Sequence, residues 1–245
     1  MLESYGWSPA LQAQFDPYAV QGLVLARVTV QRRGRWSSST RSSTRSACSS
    51  WWRSEHMTGL RVRALDETTW SDFAQLVERH NGVWGGCWCM AFHPEGVGRT
   101  KTAAQNRSEK EGRVREGRAH AALVYNGPTC VGWCQFGPTD ELPRIKRRRA
   151  YLDGLSALPD WRITCFFVDR KYRRGGVAST ALQGALHEIA RLGGGTVESY
   201  PEDVEGRSVS ASFLHNGAVS MFESHGFERT RRLGKHHWVV TKVVS

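Results

Sequence analysis

Two arginines and two glycines in a row, Arg173-Arg174-Gly175-Gly176, are the part of this chain best suited to holding an anion. The glycines remove the side chains that would keep a phosphate from the free N–H groups of a helix's first turn, and the helix dipole adds roughly 0.3–1 kcal/mol for an anion placed there. The arginines supply mobile positive charge beside it. A second set of reactive residue types lies in Gly85-Gly-Cys-Trp-Cys-Met-Ala-Phe-His93, where Cys87, Cys89 and His93 can offer metal ligands together with Cys130 and Cys134. Cys-x-Cys is a poorer metal frame than Cys-x2-Cys, and no second tight pair completes it. No metal is therefore expected, and the loop reads as the lining of a pocket with Trp133, Cys134 and Gln135. Cys165 is a candidate nucleophile, but no His stands near it in sequence, so a packed strand thiol is the better account.

The elements around the Arg-Gly loop can position it. Arg162 to Val168 is a run of β-branched and aromatic residues, as in a buried strand, and Val177 to Leu192 carries apolar residues at helical spacing. Before them, Leu60 to Leu65 alternates as a strand, and Asp66 or Thr68 can cap a helix through His80. A Gly-, Trp- and Cys-rich loop over 81–98 is followed by a polar helix from about Thr100 to Gly117, whose charges at helical spacing read as a solvated face. Ala119 to Tyr125 and Thr129 to Phe136 form a hairpin about Asn126-Gly127. A connecting segment over 137–160 holds three prolines. After the central strand and helix come a strand at Thr196 to Tyr200, a helix from about Ser212 to His225, and paired strands at Phe227 to Leu233 and His236 to Val243. These residues alone predict an α/β class, a mixed sheet covered by helices.

Composition narrows the function classes. A chain of 245 residues with 40% apolar content can bury one good core and a small appendage. It has no run of about 18 apolar residues and no basic-then-apolar start, so a soluble, cytoplasmic protein with no membrane partner is expected. The six cysteines read as reduced thiols. The net charge of +11 gathers partly in Arg144-Ile-Lys-Arg-Arg-Arg149 and Arg170-Lys-x-Arg-Arg174, beside the anion loop. Aromatic residues are not interleaved with these runs as a stacking platform for single strands requires, so nucleic acid is not expected as the principal ligand. Neither Gly-x4-Gly-Lys-Ser/Thr nor Gly-x-Gly-x-x-Gly occurs, which removes the usual support for nucleotide hydrolysis or a dinucleotide fold.

The order Arg173-x-x-Gly176-x-Ala178 after Phe-Val-Asp-x-x-Tyr resembles the coenzyme A pyrophosphate loop of the GNAT superfamily of N-acetyltransferases, which runs Gln/Arg-x-x-Gly-x-Gly/Ala. The element order agrees over 58–245, so the resemblance implies an acyl-CoA N-acyltransferase fold for a domain at 57–245. It implies acetyl-CoA as acyl donor and transfer of acetyl to the primary amine of a small molecule or peptide, directly within a ternary complex. By position, backbone groups of Phe166, Phe167 and Val168 hold the pantetheine arm, while Arg173, Arg174, Gly175, Gly176, Val177, Ala178 and Ser179 wrap the pyrophosphate. Glu198, on the next strand, is the first candidate base; the alternative is a solvated strand-end carboxylate. Many members place a Tyr near the thiolate four residues before a Gly-Phe. Here that position is Phe222, before Gly226-Phe227, which leaves water to protonate the thiolate. The family's Asn, seven residues ahead of that Tyr, falls on His215, with Asn216 one place off; either can hold pantetheine, or simply start a helix. A related branch is similar in Gly-Cys-Trp-Cys-Met, Val-Gly-Trp-Cys and Trp-Arg-Ile-Thr-Cys-Phe-Phe-Val. The competing class is a degenerate module that binds coenzyme A or a small amine without turnover. A homodimer is left open.

Residues 1–36 stand apart. Tyr5-Gly-Trp-Ser-Pro-Ala-Leu and the stretch from Phe15 to Trp36 resemble the opening of the ribosome-associated, circularly permuted GTPase family, which implies a lead-in helix and one barrel strand. Residues 37–56 are Ser/Arg/Thr-rich without a usable hydrophobic period, and are expected to be a disordered linker. A fusion or frame change is one reading of this extension, with the natural start at Met57; a ribosome-binding fragment is another.

Overall fold

The structure is a computed structural model that describes residues 28–32, 35–38 and 59–245 except Arg99. In the N-terminal unit, β1 (Val28–Arg32) and β2 (Arg35–Ser38) pair antiparallel, where one strand was expected. β2 takes in Ser37 and Ser38, the first two residues of the expected linker; the anticipated lead-in helix, the rest of that linker (39–56) and Met57 lie outside the described residues.

Gly59–Ser245 forms the second unit, described by itself. Its elements are β3 (Leu60–Ala64), α1 (Trp70–Glu78), α2 (Ala103–Arg115), β4 (His120–Asn126), β5 (Thr129–Pro138), α3 (Arg148–Asp153), β6 (Trp161–Val168), α4 (Val177–Arg191), β7 (Gly195–Ser199), α5 (Val219–Ser224), β8 (Glu228–Arg232) and β9 (Trp238–Val244). Seven strands form one mixed sheet in the order β3-β4-β5-β6-β7-β9-β8. Among its pairs, β6 and β7 are parallel, as their connection through α4 requires, and the rest are antiparallel.

Side chains alternate between two packed faces. On one face, Ile163, Phe166 and Val197 meet Val177, Ala181, Leu182, Ala185 and Ile189 of α4 together with Val219 and Phe222 of α5. Gly184 is needed there, because a Cβ would lie 2.5 Å from the Val62 side chain. On the opposite face, Trp133, Cys165 and Phe167 pack under Phe73, Leu76 and Val77 of α1 and under Val83, Trp88, Cys89 and Met90 of the following loop.

Three expectations need correction. The segment over 137–160 contains α3, which the prolines obscured. The helix predicted from Ser212 to His225 is broken: a 3-10 turn over Ala211–Asn216 ends at Gly217 (φ +79°), and α5 starts afresh at Val219. Finally, α2 is not merely a solvated face. It buries Asn106, Lys110, Arg113 and Val114, and several of their polar atoms find partners across the fold: Asn106 Nδ2 donates to Gly86 O at 2.8 Å, and Arg113 meets Glu95 at 2.6 Å. The helix expected from about Thr100 to Gly117 runs over Ala103–Arg115, and its N-cap Thr102 forms a reciprocal capping box with Gln105.

Candidate active site

The parallel ladder between β6 and β7 holds for only three pairs, Trp161↔Val197, Arg162↔Glu198 and Ile163↔Ser199. Beyond them the chain turns away through Tyr200-Pro201 and Glu202 bridges to Ala218 and His237 instead. The C-terminal half of β6 is thus left without a strand partner on that side, and the 3-10 turn over Ala211–Asn216 packs near β6 instead. The β5–β6 register slips between Gln135 and Phe136, a bulge that resets which groups face outward. After it, the Phe167 carbonyl faces β5, 2.7 Å from where a Cβ on Gly132 would be, and the Asp169 N–H donates to Val131 O at 2.9 Å. The alternate residues Phe166 and Val168 therefore turn their main-chain N–H and C=O groups to the open edge. Arg173 Nε reaches the Val168 carbonyl at 3.3 Å. Both Phe side chains are core residues, so only their backbones are on offer.

The Arg-Gly loop lies at the end of this strand. Asp169 caps the 3-10 turn Arg170–Tyr172 by accepting from Lys171 N–H at 3.1 Å. Burial opposes ionisation of the Asp169 carboxyl, but the Lys171 N–H, His80 at 3.3 Å and Arg79 at 3.9 Å hold it below the ordinary carboxylate value. Arg174 (φ +63°) and Gly176 (φ +79°) then take left-handed conformations that swing the chain into α4. No side chain caps α4, and nothing lies within 4 Å of a Cβ built on Gly176. The amides of the first turn face open space with Arg173, Arg174 and Gly175 exposed around them. Val177 pins the helix to the core, while Ser179 Oγ is engaged at 2.7 Å by His225 Nε2, which leaves its main-chain N–H as the free group. Ala178 is half-buried beside it.

The structure thus brings Phe166, Phe167, Val168 and the 173–179 loop together, and the turn that carries His215 packs against β6. His215 lies among Trp84 (6.2 Å between ring centroids), Phe92 (6.5 Å) and Lys146, whose Nζ is 2.9 Å from its Nε2. Burial and the Lys146 charge push His215 down to about 4, so it is neutral at pH 7. Glu198 is 5% exposed, not a solvated strand-end carboxylate, and its Oε1 has no hydrogen-bond partner among the described residues. Phe222 is fully buried, edge-on to Phe166 at 5.8 Å and Phe227 at 5.0 Å, and offers no acid.

The 82–93 loop carries concentrated backbone strain: Val83, Trp84, Trp88 and Cys89 all have φ between 46° and 59°. Several of the Cys and His side chains weighed as metal ligands have other partners. His93 Nδ1 is 3.1 Å from Glu141 O and its Nε2 is 3.0 Å from Lys110 Nζ, while the Cys130 thiol points to Gly132 O at 3.8 Å. Among the described residues no group of three His, Cys, Asp or Glu side chains is placed to hold a metal. Trp133 Nε1 donates to Cys89 Sγ at 3.1 Å. The Cys165 thiol is pushed up by its hydrogen bond to Cys89 and by burial, which keeps it a neutral packed thiol.

Sequence reading passed over Lys110, Lys146, Glu202 and His237. Glu202 is buried and meets Arg207 and His237, each at 3.1 Å. The only early signal for any of these was Lys146, inside the basic run.

A mixed sheet whose central parallel strands part above a glycine-opened helix start is the architecture of an acyl-CoA N-acyltransferase. The Acetyltransferase (GNAT) family matches residues 88–227, and the chain belongs to that family. Two solved structures to which the chain is similar are the histone acetyltransferase HPA2 and related acetyltransferase of Corynebacterium glutamicum and an N-acetyltransferase of Staphylococcus aureus. The first is 12% identical, with 76% of this chain and 97% of that chain covered and a TM-score of 0.47. The second is 12% identical, with 77% and 100% covered and a TM-score of 0.44. No curated protein matches the chain. No helix among the described residues is long and apolar enough to cross a membrane.

Proposed function

We propose that this acetyltransferase uses acetyl-CoA to acetylate a primary amine by direct transfer in a ternary complex. The carrying observation is the parting of β6 from β7 after Ile163 and Ser199, which leaves the main-chain groups of Phe166 and the Val168 N–H without a strand partner and able to hold an extended amide-bearing arm. The open α4 amides fit a diphosphate for the same reason: a side chain at Gly176 would occupy space that is empty. Bound acetyl-CoA supplies an activated thioester carbonyl; this chain has to align an amine against it. Alignment alone is worth effective molarities of about 10⁵–10⁸ M.

Removal of the ammonium proton falls to Glu198, whose Oε1 is unclaimed on the same face of the sheet as Cys165 and Phe167. Protonation of the leaving thiolate falls to water, since Phe222 is sealed in the core. That burial is also the one feature favouring the second reading, a module that binds coenzyme A without turnover. Following thiol release from acetyl-CoA over a panel of amines tests both. Turnover on at least one amine, reduced about 10²–10⁴-fold in Glu198→Gln, is expected if Glu198 is the base. Binding of acetyl-CoA with no release on any amine supports the sensor, and no binding removes both.

A further inference from the structure

A second group of buried polar atoms lies on the acceptor face, around Tyr151 of α3. Tyr151 is 2% exposed and accepts a hydrogen bond from Arg162 Nη2 at 3.1 Å. The guanidinium of Arg162 lies 5.3 Å from the centroid of its ring, and that of Arg231, arriving from β8, lies 4.9 Å from the same centroid. Tyr200 meets the ring edge-on at 5.6 Å. Among the described residues, Arg162 Nε, Arg231 Nη2, Tyr200 Oη and Glu198 Oε1 are all buried and without a hydrogen-bond partner.

Buried donors in that state are costly unless something accepts from them. The four groups gather around the Tyr151 ring, with Glu198 the acceptor among them; Arg162 Nη1 is already held by the Leu142 carbonyl at 2.8 Å, which leaves its Nε as the open donor. Arg162 is 2% exposed, and neither arginine forms a salt bridge among the described residues, although Glu198 is the strand neighbour of Arg162. Arg162 also lines a cleft of about 550 Å³ with Ile145, Arg148, Tyr151, Leu152 and Asp160, room enough for a small ligand. Lys146, next in the chain to the Ile145 of that lining, is a further cation, 2.9 Å from His215.

We infer that the acceptor is an amine bearing a carboxylate or phosphate a few atoms away, with that anionic group held by Arg162, Arg231 and Tyr200 while the amine meets Glu198. This rests on the proposed transferase reading and names the substrate class of the same site. A guanidinium pair on a buried aromatic ring suits a planar or tetrahedral anion, and the shared chemistry is the negative group, whichever its source.

The test compares matched acceptors: β-alanine against propylamine, and phosphoethanolamine against ethanolamine. Thiol release gives kcat/KM for each, and titration calorimetry gives the affinity of each amine for the protein without acyl donor. At least tenfold preference for one anionic member, in both readouts, is expected, and the two pairs separate carboxylate from phosphate. In Arg231→Gln the preference should fall below threefold. Because Arg231 is only half-buried, equal melting temperatures of the wild type and Arg231→Gln guard against a folding artefact, and Arg231→Lys, which keeps the charge, should retain part of the preference. Turnover on neutral amines equal to that on their anionic partners overturns the inference while leaving the transferase reading intact. Absence of acetyl-CoA binding would instead strike the transferase reading itself.

Discussion

His93 gives a prediction whose size can be worked from the structure. It is 1% exposed; the Glu141 carbonyl takes its Nδ1–H, and Nε2 faces the Lys110 ammonium, so a second ring proton has nowhere to go. Burial, Lys110 and Arg113 push it down to about 2. A histidine whose folded value lies below its unfolded value stabilises the fold above the unfolded value and loses that contribution as pH falls beneath it. With 6.5 for the unfolded chain, going from pH 7 to pH 5 removes about 2 kcal/mol through this residue alone. The perturbation is His93→Gln, which keeps an acceptor for Lys110 and a donor for Glu141 but cannot titrate. Urea unfolding at the two pH values, for both proteins, isolates the term as the difference between their losses. The wild type should lose about 2 kcal/mol more than the variant. Equal losses would mean that His93 accepts a proton readily in the folded state, and the buried Lys110–His93 contact would be wrong.

Gly176→Val forces a β-branched side chain into a left-handed conformation and fills the space in front of the α4 amides. Stability should fall by about 1–2 kcal/mol and acetyl-CoA affinity by more than tenfold; unaltered affinity by calorimetry would detach the phosphates from this turn. Phe222→Tyr places a hydroxyl in a closed apolar cluster, so stability should drop by about 1–3 kcal/mol in urea unfolding with turnover changed less than threefold. A large gain in turnover would show that residue 222 reaches the thiolate after all.

The strand, turn and helix around the Arg-Gly loop were legible because their signals are local. A β-branched run, paired glycines and a helical period follow one another between Arg162 and Leu192, and β6 and α4 form there within a residue or so at each end. The Asn126-Gly127 hairpin was legible for the same reason. What escaped depends on partners distant in sequence. The polar period of α2 reads as solvated because the groups that bury Lys110 and Arg113 sit on the 86–95 loop. Glu198 looks like a strand-end carboxylate until α3 and Tyr200 cover it, and nothing local to Arg231 announces that it will stack on Tyr151. Gly217 sits in a segment with helical composition, yet its backbone (φ +79°, ψ 179°) ends one turn and starts another.

The most direct test of the account is calorimetric titration of acetyl-CoA into the wild type and into the Arg173→Glu, Arg174→Glu double variant, with thermal unfolding of both as a control. Both side chains are exposed, so the melting temperatures should agree. Saturable binding by the wild type, weakened at least tenfold in the double variant, is the predicted result. No binding by the wild type, or equal affinity in the two proteins, would contradict the claim that the start of α4 grips the diphosphate.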